Sequence, residues 1–76
     1  MVRMRVTSVE GRYLVKMDGS LTSRNLRRLE HLCGPALEQR PLPLTLHFSV
    51  SSSLDDTARA YVDRLVQRGA VLVFDS

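Results

Sequence analysis

The residues best placed to do chemistry are a carboxylate pair, Asp55-Asp56, preceded by Ser51-Ser52-Ser53 and followed by Thr57 and Arg59. Paired carboxylates perform acid/base work only when both address one reacting centre. Sequence neighbours at a helix start point in different directions, so this pair implies no such centre. A triad assembled from Ser51, His47 and Asp55 lacks the Gly-x-Ser-x-Gly elbow that presents a nucleophile. His31 and Cys33 stand two apart on a helix and leave by different faces, while His47 belongs to a strand. No metal-ligand set results. Neither Gly-x-Gly-x-x-Gly nor Gly-x-x-x-x-Gly-Lys occurs, which removes the commonest nucleotide loops. The expectation is a non-enzymatic protein with no metal and no cofactor.

What remains is recognition. Asp55 and Asp56 serve either as a favourable helix start, worth about 0.3–1 kcal/mol each against the macrodipole, or as a partner-facing acidic site. The tightest basic cluster, Arg24, Arg27 and Arg28, reads first as the solvated side of a leucine-striped helix. Its place near a helix start, where the dipole disfavours cations, makes it an alternative contact for nucleic acid or an acidic partner.

The elements that must position these groups follow from periodicity. Val2, Met4 and Val6 alternate with Arg3 and Arg5, and Tyr13-Leu14-Val15-Lys16-Met17 follows the turn-like Glu10-Gly11, so the two runs predict a hairpin. Asp18-Gly19-Ser20 is expected to break the second strand, with Ser20 or Thr22 capping the next helix. Leu26, Leu29, Leu32, Cys33, Ala36 and Leu37 form one helical stripe, interrupted at Gly34-Pro35, where proline removes a backbone donor. Leu44-Thr45-Leu46-His47-Phe48 alternates as a third strand. Ser51 to Asp56 opens a second helix, with Ser53 as its cap in a capping-box-like pair with Asp56. Ala58, Tyr61, Val62 and Leu65 are its core stripe, and Arg59 and Asp63 lie four apart on its solvent side. Gly69 stops it, and Val71-Leu72-Val73-Phe74 is the fourth strand.

The order strand-strand-helix-strand-helix-strand defines an α/β domain with a four-stranded mixed sheet, its last three strands parallel and its helices mainly on one face. Tyr13, Val15, Met17, Leu44, Leu46 and Phe48 then face the helices, while Lys16, Thr45 and His47 face away. Composition agrees with one small domain over residues 1–76: hydrophobic residues make up 43% and charged residues 25% of the chain. Ten of the eleven basic residues are Arg, spread along the chain against eight acids, so a net charge of +3 falls short of the one-faced stripe of a nucleic-acid binder. Apolar runs are far shorter than the roughly 20 residues of a membrane span, and the polar start Met1-Val2-Arg3-Met4-Arg5 is no secretory signal. The expected location is cytoplasmic, with Cys33 a buried thiol.

Several pieces taken in order resemble the STAS domain, the sulfate-transporter and anti-sigma-factor-antagonist family. They are Leu14-Val15-Lys16-Met17-Asp18-Gly19-Ser20-Leu21, Leu46-His47-Phe48-Ser49-Val50, Leu54-Asp55-Asp56-Thr57-Ala58-Arg59 and Arg68-Gly69-Ala70-Val71-Leu72. The resemblance implies a switch or scaffold module in bacterial regulation that docks a protein partner, such as an anti-sigma factor, kinase or sensor-like protein, through Ser53, Asp55, Asp56, Thr57 and Arg59. Asp56 stands where anti-sigma antagonists carry a phosphorylated serine, which implies an absent or locked phospho-switch. Thr57 is the neighbouring hydroxyl. The resemblance also implies at least one more helix after the fourth strand, and the expectation is a domain without it. Association with a second copy through the open sheet face or an unprotected strand edge is a further expectation.

Overall fold

The computed structural model describes residues 2–75. Strand β1 (Val2–Val9) turns into β2 (Arg12–Leu21) through Glu10 and Gly11, whose φ values of 51° and 81° match a two-residue type I′ hairpin. A 3-10 turn (Ser23–Asn25) leads into two consecutive short helices, α1 (Leu26–Leu32) and α2 (Gly34–Leu37). The break expected at Gly34-Pro35 is therefore present. Then come β3 (Leu44–Phe48), a two-residue β4 (Ser53–Leu54), the longest helix α3 (Asp56–Gln67) and β5 (Val71–Phe74).

The sheet is mixed, in the order β1-β2-β3-β5. β1 runs antiparallel to β2, while β3 lies parallel to both β2 and β5. Three sequence expectations need correction. First, Asp18-Gly19-Ser20 does not end the second strand: Arg3 pairs with Asp18 and Val2 with Gly19, so β1 holds the segment extended. Second, β4 adds a fifth strand, pairing Ser20 with Ser53 and Leu21 with Leu54 along the stretch of β2 that β3 leaves free. Third, neither Ser20 nor Thr22 caps the first helical segment with its side chain; Ser20 is a strand residue.

Strand alternation divides the sheet into two chemically different faces. On one, Val15, Met17, Leu44, Leu46 and Phe48 are buried beneath Leu29, Ala58, Val62 and Leu65 of the helices and Cys33 at the α1–α2 junction. Each such aliphatic or aromatic side chain contributes about 1.5–3 kcal/mol through its removal from water. The other face carries Lys16, Thr45 and His47, as expected. Three residues outside the predicted stripes, Leu21, Leu42 and Ala70, also sit in the core. Leu42 is drawn in because its N–H donates to the Arg68 carbonyl at 3.1 Å, while the Arg68 guanidinium donates to the Leu37 carbonyl at 2.7 Å. Among the described residues no helix is long and apolar enough to cross a membrane.

Burial sets the chemistry of two core groups. It pushes the Cys33 thiol from 9.0 up to about 11, and burial with the nearby Glu30 charge pushes the Tyr61 phenol from 10.0 up to about 12. Both groups hold their protons more tightly when folded, so their contribution to stability is intact below pH 9 and is lost as pH rises through 11 and 12. The urea midpoint should therefore fall on going from pH 9 to 11, less steeply in Cys33→Ala; a wild-type midpoint flat over that range would contradict the assignment.

Gly69 closes the domain at a φ of 113°, and a Cβ there would stand 2.9 Å from the Pro41 Cβ and 3.1 Å from the Leu42 nitrogen. Gly11 has a φ of 81° but open space around it. Gly11→Ala should cost about 1 kcal/mol from backbone strain alone. Gly69→Ala should cost about 2 kcal/mol or more, since strain and collision add. Equal losses in urea unfolding would refute the close approach.

Candidate functional site

The start of α3 is organised by Asp55. Its Oδ1 accepts from the Ala58 N–H at 2.8 Å, which makes it the helix cap, and its Oδ2 accepts from the Ser23 N–H at 3.0 Å, at the start of the 3-10 turn. Its own N–H donates to the Leu21 carbonyl at 3.1 Å. The expectation that Ser53 caps α3 is thus corrected: Ser53 lies two residues earlier, in β4, and its hydroxyl donates to that of Ser20 at 3.0 Å. A side chain caps when its oxygen reaches the N–H groups two or three residues on, and β4 pairing turns Ser53 away from that position.

With Asp55 committed to the frame, Asp56, Thr57 and Arg59 are exposed on the first turns of α3. Beside them lies a groove of about 140 Å³ lined by Phe48, Ser52, Ser53, Leu54, Arg59 and Phe74. Phe74 stacks on the buried Phe48 ring, centroids 5.2 Å apart, yet remains 61% exposed. Val50, in the loop after β3, is 73% exposed. The structure therefore brings Ser53 and Arg59 to one groove, with Asp56 and Thr57 on the adjoining turn and Asp55 serving beneath them. Arg24, Arg27 and Arg28 are exposed on the 3-10 turn and α1, and Arg59 and Asp63 make no ion pair.

A second concentration of polar groups was not singled out from sequence. At the C-terminal ends of β2 and β3, the Asp18 Oδ1 accepts from the hydroxyls of Ser49, at 2.8 Å, and Ser51. The Ser52 hydroxyl donates to the Met17 carbonyl at 3.0 Å. Donation by Ser51 first and Ser49 second holds the Asp18 carboxyl below its ordinary 3.8. Next to it, His47 Nε2 and Asp75 Oδ1 lie 2.6 Å apart. The available signal was positional: parallel pairing of Met17 with Phe48 sets Asp18 of β2 beside the serine-rich loop that follows β3. Among the described residues no three His, Cys, Asp or Glu side chains gather where they could hold a metal ion.

No family model and no curated protein sequence matches this chain.

Asp55→Ala should cost about 1–2 kcal/mol, because it deprives α3 of its cap and leaves the Ser23 N–H without its acceptor. Ser53→Ala should stay within about 0.5 kcal/mol, as an exposed hydroxyl pair contributes little. Chemical denaturation of both variants decides between the two as cap; a larger loss in Ser53→Ala would reverse the assignment.

Proposed function

We propose that this chain is a non-enzymatic, STAS-like interaction module that docks a regulatory protein through the start of α3. The observation that carries the reading is the separation of roles at that helix end. Asp55 is spent on fixing the frame, while Asp56, Thr57 and Arg59 are exposed beside a groove holding a half-uncovered aromatic, Phe74. A rigid frame, an exposed aromatic and flanking charges of both signs are the ingredients of a recognition surface, since preorganised groups forfeit little entropy on binding.

Asp56 deepens this reading. A carboxylate on the first turn of a helix carries the sign that the dipole favours there, and it does so permanently, without a kinase. On this reading the module acts constitutively, and an anti-sigma factor, kinase or sensor-like protein recognises the charged helix start as it stands. Thr57, exposed on the same turn, is the one hydroxyl there that phosphorylation could use.

The test is affinity capture from the source organism with wild type and with the double variant Asp56→Lys/Arg59→Glu, followed by titration of the protein recovered. The double variant should keep the wild-type circular dichroism spectrum and lose binding by about tenfold or more, equivalent to about 1.4 kcal/mol. Arg27→Glu/Arg28→Glu should bind as wild type does. Loss confined to the arginine variant would move the contact to the α1 face.

A further inference from the structure

The sheet face turned away from the helices carries an unusual charge arrangement. Arg5 and Lys16 stand directly opposite each other in the β1–β2 register, and Lys16 stands beside His47 across β2–β3. Like charges directly opposed across an antiparallel pair destabilise it. The next row toward the C-terminal ends of the parallel strands places Arg3 opposite Asp18. These groups, with Ser49 and Asp75, surround a depression of about 340 Å³.

The two acids of the depression already have partners: Asp75 contacts His47, and Asp18 accepts from Ser49 and Ser51. Among the described residues no arginine or lysine lies within ion-pair distance of a carboxylate, and Arg3 faces Asp18 across β1–β2, so Arg5 and Lys16 are the cations that reach the depression with no acid opposite them. The space is roughly ten water volumes, at the lower end of small-molecule sites.

We infer that this depression binds a small phosphate ester whose body carries hydroxyl or ammonium donors. Two guanidiniums offer forked donors that match phosphate oxygens, and Lys16 adds a point charge. An anion relieves the like-charge row that the protein leaves uncompensated. Asp18, opposite Arg3, and Asp75 repel a second anionic group and accept hydrogen bonds from donors, which orients the ligand with its phosphate toward Arg5 and Lys16. The site lies on the opposite side of the sheet from the helices and is independent of α3 docking.

The test is an amide NMR titration at low salt with ribose 5-phosphate, alongside ribose and sodium chloride at matched ionic strength. Ribose 5-phosphate should give saturable shifts at Arg5, Lys16 and His47, with a Kd of about 1 mM or tighter. Ribose and sodium chloride should not reproduce them. The variant Arg5→Gln/Lys16→Gln should fold, melt at or above the wild-type temperature without ligand because the repulsion is gone, and lose affinity by tenfold or more. In parallel, ribose 5-phosphate should raise the melting temperature of wild type and leave that of the variant unchanged. Shifts that do not saturate, that sodium chloride matches, that map to Arg24, Arg27 and Arg28, or that survive in the variant would each overturn the site.

Discussion

One carboxylate holds three parts of this small domain in register. Asp55 accepts from the first turn of α3 through one oxygen and from the first turn of the 3-10 segment through the other, while its N–H bonds the last residue of β2. Helix starts leave backbone donors without intrahelical partners, and here a single side chain serves two of them. Leu21 and Ala58, which flank this junction, are buried, so the bond lengths at the surface fix how two core side chains enter the interior. In a domain of this size, where net stability is only a few kcal/mol, such a junction decides whether the helices seat on the sheet at all.

The opposite end is closed by sterics rather than charge. Leu42 bonds the end of α3, and the chain around Pro41 lies so close to Gly69 that a methyl group there would collide. The helical layer is thus pinned at both ends, and the sheet beneath it is left to do two things. Its inner face is a continuous apolar floor of Val15, Met17, Leu44, Leu46 and Phe48, and its outer face is free to carry charge. A period of two in the strands makes this division automatic, because moving one residue along the chain moves a side chain to the other solvent.

That same period explains what was legible beforehand. The three long strands, the break at Gly34-Pro35, the core stripe of α3 and the facing of Lys16, Thr45 and His47 all follow from spacing of apolar residues, which is a local property of the chain. The failures share a different cause. Ser53 looked like a cap because its spacing to Asp56 is correct, but β2 offers free pairing groups at Ser20 and Leu21, and strand addition there outcompetes capping. Asp18-Gly19-Ser20 has turn chemistry, yet β1 on one side and β4 on the other hold it extended despite a φ of 100° at Gly19. Leu42, flanked by prolines, belongs to no periodic stripe and is buried by a bond to a residue 26 positions later. Each is a decision made by a distant strand or helix end, which spacing along the chain does not encode.

The β3–β4 loop joins the two surfaces that the structure leaves open. Ser49 and Ser51 reach Asp18, at the wall of the charged depression, while Ser52 and Ser53 line the groove beside Arg59 and Phe74. A short loop with three hydroxyls, continued by Ser53 of β4, can do this because each side chain is small enough to bond locally and polar enough to be satisfied on either side. Longer side chains at these positions would fill either the depression or the groove. The serine run, which on sequence reads as a helix approach, is therefore better understood as the shared wall of two recesses, with Asp18 tethering one end and the Ser20–Ser53 hydroxyl pair the other.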